Sequence, residues 1–415
     1  MSEVRDICAR AAEVAPEVAK LSAQAKNDAL RAMADALEAA SADLMRANEE
    51  DLERARSQEI SGALVDRLTL TDKRVGSMAA GLRAVADQPD PVGEVVRGWK
   101  RPNGLLIQQV RVPLGVVAVI YEARPNVTAD VSGLCLKSGN ACILRGSSTA
   151  LSSNRAIVEV LVKAGRAVGL PEGAVQLILD AGREAATELM QAKGYVDLLV
   201  PRGGAELIKS IEDNATIPYI IDGDGNCHVY VDRSADEAMA SRIVVNAKTQ
   251  RPSVCNAAET LLVHQDLADD WLPQVLRDLT DEGVEVRGDE RVLDVWPEAT
   301  AAREDDWGKE YLDLVLAVKV VDSLDEAIQH VNQWGTSNAE AIVTQDLDAA
   351  RRFATEVDSG SVFVNASTRF SDGGEFGYGA EIGISTQKLH ARGPMGLAEL
   401  TTTKYVVWGE GHTRQ

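Results

Sequence analysis

From about residue 2 to residue 87, apolar positions recur with helical spacing in sequence rich in Ala, Leu, Glu, Asp and Arg. Leu30, Met33, Ala34, Leu37 and Leu44 fall on one stripe, as expected of helices packed by a single face. Thr69-Leu70-Thr71-Asp72 supplies an N-cap for a further helix, because a threonine hydroxyl satisfies an otherwise orphaned first-turn amide. The region carries no catalytic signature and is expected to pack around an α/β core. Pro89-Asp90-Pro91 breaks the helical pattern, and residues 104–112 then read as an extended strand. Residues 402–408 form a second strand that stands apart from other elements. Two isolated strands make a small flap whose unpaired edge exposes backbone donors, so pairing with another subunit, as a dimer or tetramer, is expected.

Between about 113 and 222 the pattern changes to short apolar runs alternating with helical ones. Strands are expected at 115–120, 141–145, 174–179 and 196–200, with helices at 127–137, 149–168 and 184–192. Such alternation implies a parallel sheet covered by helices, with ligands at the carboxyl ends of its strands. Two of those ends hold polar groups suited to phosphate. Arg145-Gly146-Ser147-Ser148 follows a strand, and Pro201-Arg202-Gly203-Gly204 brings a cation and unblocked amides to a helix start. Neither is a GxGxxG string, and a plain turn-and-cap reading stays open for each. The second half, about 223–395, repeats the α/β style. Its strands are expected at 229–231, 260–264, 312–321, 341–343 and 362–364, and its helices at 235–247 and 266–281. A glycine-rich stretch at 372–380 is too flexible for a core element and is expected to line a site.

Composition narrows the function classes. At 415 residues, with 45% apolar and 26% charged, the chain is long enough for two or three soluble domains. A net charge of -21 argues against nucleic acid or an anionic membrane as partner, while leaving room for a local basic pocket. The longest apolar run, 114–121, is far short of the ~20 residues needed to cross a bilayer. The N-terminus is acidic and lacks an apolar signal core. Five scattered cysteines, without a CxxC pair or metal-ligand spacing, suggest reduced thiols in the cytoplasm, and no metal is expected.

One stretch carries nucleophile chemistry. Asn246-Ala247-Lys248-Thr249-Gln250-Arg251-Pro252-Ser253-Val254-Cys255-Asn256-Ala257-Ala258-Glu259 leaves a helix, passes a proline and presents a thiol among small residues. A thiolate is the side-chain nucleophile that needs least help near neutral pH. Cys135 and Cys142 read as small buried hydrophobes and Cys8 as chemically idle. Cys227-His228 is the competitor, since an imidazole can activate a thiol, although neighbours at a strand start point to opposite faces.

Several long strings, in order along nearly the whole chain, resemble the aldehyde dehydrogenase superfamily, and most closely its acyl-phosphate-reducing branch, the γ-glutamyl phosphate reductases. They are Val112-Pro113-Leu114-Gly115-Val116-Val117, Tyr121-Glu122-Ala123-Arg124-Pro125-Asn126-Val127-Thr128, Gln250-Arg251-Pro252-Ser253-Val254-Cys255-Asn256, Val364-Asn365-Ala366-Ser367-Thr368-Arg369-Phe370, and residues 383–394, which end His390-Ala391-Arg392-Gly393-Pro394. The resemblance implies an aldehyde-dehydrogenase-like α/β fold. A Rossmann-type cofactor domain would span 1–100 and 113–222, a catalytic domain 223–395, and an oligomerisation β-flap 101–112 and 396–411. It also implies NADPH-dependent reduction of L-glutamyl 5-phosphate to L-glutamate 5-semialdehyde in proline biosynthesis, with glutamate 5-kinase as a possible bound partner.

In that pattern Cys255 is the nucleophile, Glu310 stands where a glutamate holds the nicotinamide ribose, and Arg145 stands where a lysine lies near the adenine ribose. The Cys255 amide and the Asn126 side chain are the oxyanion donors expected for a thioester mechanism, an Asx turn after Pro125 being the alternative for Asn126. Arg124, Arg369 and Arg392 could hold the anionic groups of the substrate, or form surface ion pairs. Two departures from the family pattern matter. Ser148 replaces a glutamate common in NAD-preferring members, which favours NADP. Asp222-Gly223-Asp224-Gly225 replaces the Glu-Leu-Gly-Gly string of hydrolytic members, which disfavours water as acyl acceptor. A hydrolytic aldehyde dehydrogenase and a non-catalytic nucleotide-binding member remain the alternatives. Replacing Ser148→Glu is expected to shift the ratio of kcat/KM toward NAD; an unchanged ratio would separate this position from the ribose.

Overall fold

The apolar stripe of the N-terminal region is buried, and the helices that carry it form where the spacing predicts. The computed structural model describes residues 2–58, 60, 62–221 and 223–414. Helices Glu3–Val18, Ala23–Ala39, Ser41–Ser57 and Asp72–Asp87 belong to a first compact unit, which comprises the chain up to Ile220, Gly377–Gly383 and the chain from Met395 on. Leu30, Met33, Ala34, Leu37 and Leu44 have no solvent exposure. Thr71 caps the last of these helices, its hydroxyl accepting the Arg74 amide at 3.2 Å.

The strands of this unit up to Ile220 are β1 (Val95–Lys100), β2 (Leu106–Pro113), β3 (Val116–Tyr121), β4 (Ala141–Gly146), β5 (Val175–Leu177) and β6 (Leu198–Arg202). Four of them make a parallel sheet in the order β5-β4-β3-β6. β3 is buried along its whole length, as a parallel strand covered on both faces must be. The chain winds from β3 through β4 to β5 on one side and then returns to place β6 on the other. The winding therefore reverses beside β3, and Tyr121 at its end stands level with Gly146 of β4 and Arg202 of β6. Gly115 makes the entry to β3 possible. Its φ is +130°, and a Cβ there would lie 2.2 Å from the Asp197 carboxylate, which itself accepts the Val116 amide at 2.8 Å.

The flap is larger than the sequence pattern indicates. β1 joins β2 and the strand Thr401–Trp408 in a three-stranded antiparallel sheet with β2 at the centre. The flap boundary expected at residue 101 therefore moves to Val95. Val-Val-Arg-Gly-Trp-Lys hides its strand character because every residue is exposed, so it shows no alternation, and its pairing shifts register between Val95 and Arg97. A second boundary also moves. Gly377–Gly383, expected with residues 223–395, packs in the first unit, where the Gln88 side-chain amide donates to the Tyr378 carbonyl.

The second unit comprises Ile221–Phe376 and Ile384–Pro394. Its strands are β7 (Cys227–Val231), β8 (Ala258–His264), β9 (Glu285–Gly288), β10 (Thr300–Ala301), β11 (Val315–Val321), β12 (Ala339–Val343) and β13 (Ser361–Val364). They form one parallel sheet in the order β10-β9-β11-β8-β7-β12-β13. Side chains alternate between two cores because the strand period is two. Val229, Val231, Leu261 and Val263 pack with the helices Glu237–Thr249 and Leu272–Asp281, whereas Tyr230 and Leu262 pack with Leu324–Trp334 and Leu347–Glu356. The strand expected from residue 312 starts only at Val315, because Leu312 takes a left-handed backbone with φ +55°. The helix expected from 266 starts at Leu272, after a short turn at Gln265–Leu267. No helix among the described residues is long and apolar enough to cross a membrane.

Gly115→Ala forces a left-handed Cβ against Asp197 and its bonded amide, and is expected to destabilise the first unit by about 1–3 kcal/mol. The check is the urea midpoint followed by far-UV circular dichroism; a midpoint equal to wild type would show that the carboxylate moves aside freely.

Candidate active site

Cys255 sits in a short loop between a helix that ends at Thr249 and a strand that begins at Ala258. Pro252 prevents the helix from continuing, and the Ala257 amide closes a tight turn on the Val254 carbonyl at 3.0 Å. Cys8, Cys135, Cys142 and Cys227 are buried, and Cys255 is half-buried. Accessibility thus separates Cys255 from the other thiols. Cys227 lies beneath it, donating its thiol hydrogen to the Cys255 carbonyl at 3.2 Å. Burial, with Glu340 and Cys255 close by, pushes the Cys227 thiol well above its ordinary range. Its neighbour His228 faces the Glu340 carboxylate at 3.2 Å. The Cys227-His228 pair is a structural element of the core.

Both ends of the loop are fastened. Lys248, in the last turn of the helix, and Glu259, second residue of β8, are fully buried with Nζ 2.6 Å from Oε2. Burial pushes the Glu259 carboxyl up to about 7 and the Lys248 ammonium down, and their contact opposes both effects. Next to the cysteine, the Asn256 side-chain amide donates to the Ser371 carbonyl at 2.8 Å, and the Thr368 hydroxyl donates to the Asn256 carbonyl at 2.7 Å. Gly225 is packed against the cysteine so closely that a Cβ would fall 1.9 Å from the Cys255 carbonyl oxygen. The Gly225 amide donates to Glu310 Oε1 at 2.8 Å, which brings Glu310 to the same cluster. Burial raises the Glu310 carboxyl and that hydrogen bond partly offsets it.

Arg369 completes the group. Its Nε donates to the Gln250 side chain at 3.0 Å, and the Cys255 thiol is among the charges that act on it. Burial lowers its pKa, Arg251 adds to that, and the charges of Asp372 and, more weakly, Cys255 oppose it, because a thiolate and a guanidinium attract each other. Arg392 differs. It pairs with Asp358 at 2.9 Å and donates to the Asp358 carbonyl at 3.2 Å, so the ion-pair alternative describes it. The cluster gathers at the amino ends of β7, β8 and β11, since Gly225, Cys255 and Glu310 all precede those strands.

In the first unit, the other expected residues meet at the carboxyl ends of β4, β3 and β6. Arg145 donates through Nη2 to the Ala181 and Gly182 carbonyls, and burial lowers its pKa. Its Nε and the Ser147 hydroxyl are buried with no hydrogen-bond partner among the described residues. Ser148 is exposed, its carbonyl accepting from Arg54 at 3.2 Å. Sequence predicts unblocked amides at the helix start after β6, but the Gly204 amide is engaged. The Gly204 amide donates to Glu122 Oε1 at 3.1 Å, and Gly203 lies against the same carboxylate. An internal anion already occupies the position favoured by the helix terminus. Arg202 ends β6, and Arg124 precedes the helix Pro125–Lys137. Asn126, in the first turn of that helix, donates to Asp130 Oδ2 at 3.1 Å, so a carboxylate orients its amide.

Sequence reasoning missed Lys248, Glu259, Gly225, Glu122 and Asp130. Glu259 carried a usable signal, because an acid at the start of a strand that continues Leu261-Leu262-Val263 needs a partner if it is buried. The position of Asp222, read as replacing a glutamate, lies outside the described residues. Among the described residues, no group of three or more His, Cys, Asp and Glu is placed to hold a metal ion.

The sequence model of the aldehyde dehydrogenase family matches residues 1–302 and 292–406. A γ-glutamyl phosphate reductase of Moorella thermoacetica is 56% identical over 413 residues, covering 100% of this chain and 99% of its own length. That of Thermobifida fusca is 55% identical over 412 residues, covering 99% of each chain. The chain belongs to the aldehyde dehydrogenase family, among the γ-glutamyl phosphate reductases. The crystal structure of the Thermotoga maritima γ-glutamyl phosphate reductase superposes with a TM-score of 0.98 at 46% identity, covering 100% of both chains. An acetylating aldehyde dehydrogenase of Geobacillus thermoglucosidasius shares the fold, with a TM-score of 0.71 at 16% identity over 100% of this chain and 98% of its own. Family membership makes the protein an oxidoreductase of aldehyde groups that works with a nicotinamide cofactor.

Asp130 yields a pH test. Burial raises its carboxyl from 3.8 to about 6, against the opposing effects of Asn126 and Arg202. The folded state therefore holds a proton that the unfolded state releases between those values, and stability falls as pH rises through about 6. Asp130→Asn is expected to gain stability over wild type from about pH 4 to pH 7 and to lose that gain below it. A stability difference independent of pH, measured by thermal unfolding across this range, would overturn the assignment.

Proposed function

We propose that the chain reduces L-glutamyl 5-phosphate with NADPH to L-glutamate 5-semialdehyde and phosphate, as the second step of proline biosynthesis from glutamate. The observation that carries this reading is one accessible thiol, Cys255, in a loop fastened at both ends and accompanied by the Arg369 cation. The relatives named γ-glutamyl phosphate reductase supply the substrate.

The Cys255 thiolate attacks the γ-carbonyl carbon. A C–S bond forms, the C–O bond to phosphorus breaks, and phosphate leaves with the electron pair. Arg369 favours the thiolate before attack and offsets negative charge near it. The Cys255 amide and the Asn126 side chain are the proposed donors to the oxyanion, and Asn126 keeps one N–H free of Asp130 for that purpose. When bound, the nicotinamide supplies hydride to the thioester carbonyl. The C–S bond then breaks, sulfur takes the electron pair, and the aldehyde forms as the thiolate is restored.

The chain's own residues fit the dinucleotide. Ser147 Oγ and Arg145 Nε are buried polar atoms in need of partners at the end of β4. With Ser148, Arg202, Gly203 and Gly204 they line the reversal of the sheet, where doubly wound folds hold nucleotides. Glu310 is proposed to hold the nicotinamide ribose beside Cys255. An acid is lacking at Ser148, which supports NADP over NAD. Arg124 and Arg369 are the better substrate anchors, since Arg392 is paired with Asp358. A homo-oligomer joined through the three-stranded sheet is supported by its exposed edge strands and by Trp99, Tyr405, Val407 and Trp408 at the surface. A cytoplasmic location suits five free thiols, and glutamate 5-kinase is the partner proposed to supply the unstable acyl phosphate.

Cys255→Ala is expected to lower phosphate-dependent reduction of NADP by glutamate 5-semialdehyde by at least about a thousandfold. Retained turnover would overturn the thioester. Acid formed without phosphate would instead mark a hydrolytic aldehyde dehydrogenase, and absence of both turnover and dinucleotide binding a non-catalytic member.

A further inference from the structure

We infer that Glu259, clamped by Lys248, is a positioning residue that holds the Cys255 loop and the Glu310 segment in one register. The inference rests on the reading of Cys255 as nucleophile and Glu310 as a cofactor ligand, and it adds residues that never touch either reactant.

Glu259 uses both carboxylate oxygens. Oε2 meets Lys248 Nζ at 2.6 Å, and Oε1 accepts the Leu312 amide at 3.1 Å. The first contact joins the helix before Cys255 to the strand after it. The second reaches the segment that carries Glu310 two residues earlier. It lands on a leucine held at φ +55°, a backbone conformation that a branched side chain resists and that needs an external tie. Glu310 in turn accepts the amide of Gly225, and Gly225 lies against the Cys255 carbonyl. The contacts therefore close a circuit from the cysteine loop through Glu259, Leu312, Glu310 and Gly225 back to the cysteine, all within one compact unit.

A buried ion pair is a poor device for stability alone, because desolvation offsets most of its attraction and a well-packed apolar pair often serves as well. Directionality is what an apolar pair cannot supply. Gln250 lies between Lys248 and Cys255 and holds Arg369, so loosening the clamp also frees the cation that favours the thiolate.

The experiment compares wild type with the apolar double variant Lys248→Met/Glu259→Leu and with Glu259→Gln. Three quantities are measured without turnover. They are the thermal midpoint, the rate of Cys255 alkylation by iodoacetamide followed by peptide mass mapping, and NADPH affinity by fluorescence titration. In the double variant the midpoint is expected to stay near wild type, while alkylation slows and NADPH affinity falls, each by about tenfold or more. Glu259→Gln, which keeps size and an acceptor for the Leu312 amide, is expected to lower both by a smaller factor, and it carries the test if the double variant does not fold. Wild-type alkylation and affinity in a folded variant, or loss of one without the other, would overturn the inference. Failure of the underlying reading looks different: Cys255→Ala would retain turnover, or wild-type Cys255 would resist iodoacetamide.

Discussion

A lysine and a glutamate without solvent contact, 2.6 Å apart, fasten the two ends of the loop that presents Cys255. Removing either partner would strand a buried charge at about 3–5 kcal/mol, so the loop ends cannot separate without penalty. Much of the site follows from that constraint. Because the helix end and the strand start are tied, Asn256 can be pinned from both sides by Thr368 and Ser371. Because Glu259 also takes the Leu312 amide, the segment with Glu310 is brought against Gly225 and hence against the cysteine. A flexible cysteine loop would supply none of these distances.

The two parallel sheets offer opposite ends to chemistry. In the first unit the expected nucleotide residues gather at the carboxyl ends of β4, β3 and β6, where the winding reverses. In the second unit Gly225, Cys255 and Glu310 stand at the amino ends of β7, β8 and β11. The difference has a physical basis. The first end is built from glycine-containing turns and strand termini that can accept a ligand's polar groups. The second is built from buried side chains bonded to one another, Lys248 to Glu259 and Asn256 to Ser371, beside the half-buried thiol.

Several residues chosen for charge are already engaged within the protein. The helix start at Gly203-Gly204 attracts an anion as the electrostatics require, but Glu122 provides it. Arg392 binds a carboxylate as its fork geometry favours, but that carboxylate belongs to Asp358. Arg369 is held by the neutral Gln250 side chain, with the Asp372 charge acting on it. The type of interaction was legible in each case, and the identity of the partner was not. Lys248 and Glu259 show the converse. They lie in the string that identified the cysteine, yet nothing local indicates that both would be buried and paired.

Sequence alone determined the helical stripe through Leu30 and Leu37, the parallel character of both sheets and the Thr71 cap, and it singled out the stretch around Cys255. Those features depend on side-chain period, turn chemistry and motifs a few residues long. Tertiary structure decided the rest. Gly204 meets Glu122 across 82 positions and Gly225 meets Glu310 across 85, and no local pattern encodes such pairings. The third flap strand and the left-handed turn at Leu312 belong to the same class. Their backbone conformation is fixed by partners that the neighbouring residues do not reveal.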